Sequence, residues 1–139
     1  MALTFQVVID SHHPHELADW WAETLGWSAE PQDEAFIRSM IEQGLASEAD
    51  TMRHRGALVW REGAAINPPE GGPRVLFQLT DEDKAGKNRM HLDLRDVPED
   101  RTELYAGLVA RGARELWRAR QGPHEWVTFA DPEGNEFCA

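Results

Sequence analysis

The sequence predicts one α+β domain built from two βαβββ modules, and three observations carry that prediction. The chain has 139 residues, 41% of them apolar, which is enough for one core and too little for two comfortable domains. A strand followed by an amphipathic helix occurs twice. A proline-rich turn leading into a strand also occurs twice, as "PPEGG" before "RVLFQL" and "DPEGN" before "EFCA".

The first strand is read at Leu3 to Ile9, apolar and rich in β-branched residues. A helix begins near Pro14 and stops at Gly26, with Leu17, Trp21 and Leu25 on its buried face and Glu16, Asp19 and Glu23 outward. The second copy opens with the strand "NRMHLDLR" and passes Pro98 into a helix carrying Leu104, Leu108 and Val109 on one side, closed by Gly112. Gln6 lies 20 residues before Gly26 and His91 lies 21 before Gly112, so the halves keep one register. From Gln6 to His91 is 85 positions, and from Pro69 to Pro132 is 63, so the first half holds about 22 extra residues. Phe36 or Ile37, Met40 or Ile41, and Leu45 recur at helical spacing, which places an inserted helix at about 34–48. The remaining strands are read at Gly56 to Glu62, Arg74 to Thr80, Arg114 to Ala119 and His124 to Ala130. Module 1 then covers about 1–81, module 2 about 88–139, and Thr80 to Asn88 links them.

A net charge of -11 and a pI near 4.9 exclude nucleic acid and anionic membrane as natural partners and favour a small ligand, a cationic one included. No apolar run approaches a membrane span, and Met1 to Asp10 lacks the basic start and long apolar run of a signal peptide, so neither anchoring nor export is expected. With one cysteine, Cys138, no intrachain disulfide forms, and a cytoplasmic location is expected.

"HPHELADWWAETLGW", "KNRMHLDL" and "WVTFADPEGNEFCA", in this order and register, resemble bacterial glyoxalase-like domain proteins of the vicinal-oxygen-chelate superfamily. The resemblance spans essentially the whole chain. It implies curved mixed sheets around a shared cavity, pairing into a homodimer, and in many members a divalent metal held by the first and last strands of each module. Carried over by position, the metal ligands become Gln6, a residue near Gln78, His91 and Cys138. Cys138 departs from the usual glutamate, and Glu136 stands two residues away on the same strand face. Such a set carries too little negative charge for Mg²⁺ and suits Zn²⁺ better.

The thin donor set favours a metal-free binding pocket, with metal-dependent lyase, isomerase or dioxygenase chemistry as the alternative. For the latter, Asp93 and Glu136 are the candidate proton carriers, although Asp93 reads first as a buried salt-bridge or hydrogen-bonding group. Trp60 and Trp126 are candidates for stacking on a ligand, against plain core packing, and His124 shares a strand face with Trp126 and Thr128. With Gln78 they complete the ligand-binding set. His12, His13 and His15 read as a solvated turn, His54 as loop, and Trp20, Trp21 and Trp27 as core. Met90, Leu92 and Leu94 are expected against the second helix, opposite His91 and Asp93. Cys138 lacks a paired base and is a poor nucleophile.

Overall fold

The computed structural model describes residues 1–139, and the chain divides into two compact units, Met1–Glu82 and Asp83–Ala139. No helix is long and apolar enough to cross a membrane.

In the first unit, β1 (Val7–Ser11) leads into α1 (Pro14–Leu25), followed by β2 (Ser28–Ala29), α2 (Glu34–Glu42), β3 (Thr51–His54), β4 (Ala57–Trp60), β5 (Gly63–Asn67) and β6 (Val75–Leu79). Proline starts α1, where its missing N–H costs nothing, and Gly26 ends it at φ 68°, where a side chain would be strained. The main sheet runs β1-β6-β5-β2, with β1 and β6 parallel and the other pairs antiparallel. Leu17, Ala18 and Trp21 of α1 are buried, as are Ile66, Val75 and Phe77 of the strands beneath them.

In the second unit, β7 (Leu92–Asp93), α3 (Thr102–Ala110), β8 (Arg114–Gln121), β9 (His124–Ala130) and β10 (Glu136–Cys138) build a sheet in the order β7-β10-β9-β8. Again the first and last strands are parallel neighbours. Phe129 and Phe137 stack at 5.6 Å, and Tyr105 of α3 lies 5.2 Å from Phe129, so this face of the sheet is the core face. Tyr105 spans the layer to donate a hydrogen bond to the Ala139 carbonyl, 2.9 Å.

The α+β class and the two βαβββ modules are therefore present, each with a mixed sheet of the same strand order. Within them, several expectations need correction. The opening strand begins at Val7, because only from there does β6 offer a partner. The strand expected at Gly56 to Glu62 is β4, which pairs with β3 in a separate hairpin and makes His54 a strand residue. The strand that joins the sheet is β5, whose small residues Gly63, Ala64 and Ala65 gave little β signal. The inserted helix stops at Glu42, since Gly44 adopts φ 73° and turns the chain away. The insertion also exceeds one helix. Residues 30–62 fill the place that Gly122 and Pro123 alone occupy in the second unit.

In the second unit the strand around His91 shrinks to Leu92–Asp93, the only two residues that β10 pairs. Met90 and Val109, expected inside, are exposed.

Candidate functional site

Each unit offers a site on the sheet face opposite its helix. In the first unit a cleft of about 820 Å³ lies between α2 with its following turn and the strands. Phe36, Met40, Leu45, Leu76, Leu79 and Trp60 give it an apolar wall. Gln78, Arg61, Glu62 and Asp50 supply polar groups, so two expected ligand-binding residues, Trp60 and Gln78, line one cavity.

The segment from Trp60 to Gly63 is held from outside the cleft by residues the sequence did not single out. The Gln32 side chain accepts from the Trp60 N–H at 2.7 Å and donates to the Gly63 carbonyl at 2.8 Å. His15 is buried rather than solvated, and its Nε2 donates to the Trp60 carbonyl at 2.7 Å, because a carbonyl can only accept. The His54 ring lies 5.1 Å from that of His15, tilted by 32°, and meets Asp19 Oδ2 at 2.7 Å, which leaves Asp19 half-buried instead of outward. His12 reaches the Glu82 carbonyl. His12 and His15 thus serve different places.

Gln6 and Gln78 do not form a ligand pair. In the parallel β1–β6 ladder Gln78 stands beside Asp10, four residues along from Gln6, or ~13 Å at strand rise. The neighbour of Gln6 is Arg74, whose Nε donates to Gln6 Oε1 at 2.8 Å while Nη1 meets Glu30 at 2.7 Å. A guanidinium therefore occupies the amide oxygen that a cation would use.

In the second unit the register aligns a row across the sheet face opposite α3, where Thr128 is buried. Asp93 stands beside Cys138, Cys138 beside Thr128, and Thr128 beside Trp117. His91 joins through its Nδ1, 3.0 Å from Asp93 Oδ1. One donor atom each from His91, Asp93 and Cys138 lies within 4.8 Å of the others. Asp93 is exposed, not buried. Burial pushes the Cys138 thiol up and the Asp93 carboxylate beside it adds to this, against a hydrogen bond with the Thr128 hydroxyl at 3.3 Å. Trp126 is two residues from Thr128 on this face, whereas His124 is four away at the hairpin tip, ~13 Å along the strand. Trp117, unnoticed in the sequence, stands in the row itself beside Thr128, and only the β8–β9 register reveals it.

Glu136 is buried and its carboxylate is already engaged. It accepts from the Asn88 N–H at 3.0 Å and pairs with Lys84 at 3.2 Å. Burial raises its pKa, yet the Asn88 amide and the Lys84 ammonium together hold it below the usual carboxylate range. This carboxylate anchors the segment that leads to His91.

The modules agree in backbone and differ in chemistry. Gln6 precedes Val7 as His91 precedes Leu92, and those partners sit alike beside Val75 and Phe137. The first-unit counterparts of Asp93 and Cys138 are then Val8 and Leu76, which have no donor atoms.

A mixed sheet with its first and last strands parallel, repeated once, with an open face on each copy, defines the fold class of glyoxalase-like proteins. The glyoxalase-like domain family matches residues 6–139, and the chain belongs to it. Among solved structures, a member of the glyoxalase/bleomycin resistance protein/dioxygenase superfamily from Sphaerobacter thermophilus is similar with a TM-score of 0.58 at 19% identity, covering 99% of this chain and 95% of that one. A glyoxalase family protein from Bacillus cereus gives 0.61 at 17%, covering 99% and 93%. A glyoxalase/bleomycin resistance protein/dioxygenase family enzyme from Burkholderia phytofirmans gives 0.62 at 11%, covering 96% and 93%. These identities speak for the fold alone. No curated protein matches the sequence.

Proposed function

We propose that the protein binds a small molecule with an apolar body in the cleft of the first unit. The carrying observation is the cleft itself, of a size common for ligand sites, with the Trp60 indole in its wall and Gln78 among few polar groups. The clamp by Gln32 and His15 supports this, because a pre-formed wall reduces the ordering cost of binding. Calorimetric titration with a set of naphthalene derivatives tests the proposal. Binding by at least one of them, weakened at least tenfold in Trp60→Ala, is the expected outcome, and no binding by any overturns it. The free thiol of Cys138 supports a reducing, cytoplasmic setting, and pairing into a homodimer remains part of the proposal on the strength of the family.

A second reading rests on His91, Asp93 and Cys138. Their nitrogen, oxygen and sulfur donors fit Zn²⁺, with a fourth position left open, and do not fit Mg²⁺, which calls for oxygens throughout. A zinc ion held there would supply Lewis acidity, while Thr128 and Glu136 keep Cys138 and the His91 segment in place. Cobalt titration distinguishes the readings: a thiolate-to-metal absorption band that vanishes in Cys138→Ala supports the metal centre, and its absence in the wild-type protein rejects it.

A further inference from the structure

The cleft of the first unit also carries a charge pattern. Three charged residues line it. Asp50 is spent on its own turn, accepting from the Ser47 N–H at 2.8 Å and the Ser47 hydroxyl at 3.2 Å. Arg61 is spent on the carbonyls of Ala49 at 3.2 Å and Thr51 at 3.0 Å, which fixes its guanidinium against the 47–51 backbone. Glu62 makes no ion pair. On the open sheet face, the register sets Asp10, Gln78 and Gly63 side by side across β1, β6 and β5. The Asp10 carboxylate is also without a partner, and the Gln78 amide beside it makes no hydrogen bond within the protein. At Gly63 there is no side chain to cover this row, and a Cβ there would come within 3.0 Å of the Phe77 carbonyl. Leu76, two residues before Gln78 on the same face, continues the row into the apolar wall.

A bare position next to an amide and an unpaired carboxylate, opening on an apolar wall with an indole, is complementary to a molecule with a positive head and an apolar body. We infer that the ligand of this cleft is an organic cation whose head group seats on Asp10 and Gln78, with its body along Leu76 and Trp60. This rests on the reading of the cleft as a small-molecule site.

Three probes of one shape separate the two claims: 1-naphthylmethylammonium, 1-naphthalenemethanol and 1-naphthylacetate, titrated calorimetrically into the full chain, Asp10→Asn and Glu62→Gln. The ammonium is expected to bind about fivefold or more tighter than the alcohol at low salt, with the acetate weakest. Asp10→Asn removes most of that preference and leaves the alcohol unchanged, and Glu62→Gln removes a smaller part. Both residues are exposed and unpaired, so the variants fold. An alcohol or acetate that binds as well as the ammonium overturns the cation and leaves the cleft site standing. An ammonium preference indifferent to Asp10→Asn overturns the head-group position. Binding by none of the three overturns cleft and cation together.

Discussion

Gln32 shows how much one side chain can organise. Its amide is the sole side chain that bonds both ends of the Trp60–Gly63 segment, accepting at one end and donating at the other. Removing it strands a strand-end N–H and a carbonyl in a half-buried place, and such losses cost about 1–3 kcal/mol. Gln32→Ala is therefore expected to lower unfolding stability by about 2 kcal/mol in urea titration. Gln32→Glu, which keeps the acceptor for Trp60 and loses the donor for Gly63, falls between the two. A Gln32→Ala protein as stable as the wild type would mean that His15 alone holds the segment. Nothing in the sequence marks Gln32, because a glutamine between Pro31 and Asp33 looks like any polar loop residue, and its role exists only through contacts 28 and 31 positions away. Trp60, Gln78, His91 and Cys138 were legible for other reasons: Trp60 stands out as a large aromatic on an expected strand, and the other three fall at or beside positions that the family resemblance marks.

Among elements, the turn that feeds β10 carries the most concentrated bonding. Asp131 is buried, and its Oδ1 accepts from the N–H groups of Glu133 and Asn135 at 2.9 and 3.0 Å, while its carboxylate also receives the Asn135 side chain. These bonds are charge-assisted, so Asp131→Ala is expected to cost about 2–4 kcal/mol in chemical denaturation, with Asp131→Asn recovering part. The loss would displace β10, and with it Cys138 from Asp93. Gly44 stops α2 at φ 73°, and Gly44→Ala is expected to lower the melting temperature through about 1 kcal/mol of strain. That same glycine explains why the helix looked longer in sequence: Leu45 keeps the apolar spacing past the point where the backbone turns. Strand β5 was hidden by a related conflict. Its Ala64 shares the face of Phe77 toward α1 and Ala65 the opposite face beside Leu76, both buried, so small residues stand where the β-branched ones by which strands are recognised would otherwise be. Turns such as "DPEGN" were legible because their chemistry is local.

At the scale of the whole chain, the duplication was legible as arithmetic, since spacing between matching turns and helix ends survives when letters diverge. The equal places of Gln6 and His91 followed from it, but Arg74 beside Gln6 did not, because side-chain partners across a parallel pair leave no trace in spacing. Charge also acts at this scale. With 25 acidic residues against 14 lysines and arginines, the folded chain repels itself at alkaline pH, a cost that salt screens. Four carboxyls act the other way at low pH. Glu34 is held low by Arg38, Asp100 by the Thr102 hydroxyl, Glu115 by Arg118, and Glu136 by Asn88 and Lys84 despite its burial. A carboxyl whose folded pKa lies below its unfolded value stabilises the fold fully above the unfolded value, near 4.3 for glutamate, and loses that contribution as pH falls through the folded one. The melting temperature is therefore expected to rise modestly from pH 9 to about pH 6, stay level, and drop below about pH 4.3. Added salt should flatten the alkaline arm and weaken the Glu34 and Glu115 ion-pair share of the acid arm, leaving the contribution of the buried Glu136. Glu136→Gln, measured by calorimetry across the range, should lower the plateau and shrink the acid drop. An unchanged acid arm in that variant would show that the exposed carboxyls carry it and that Lys84 and Asn88 hold Glu136 without net gain.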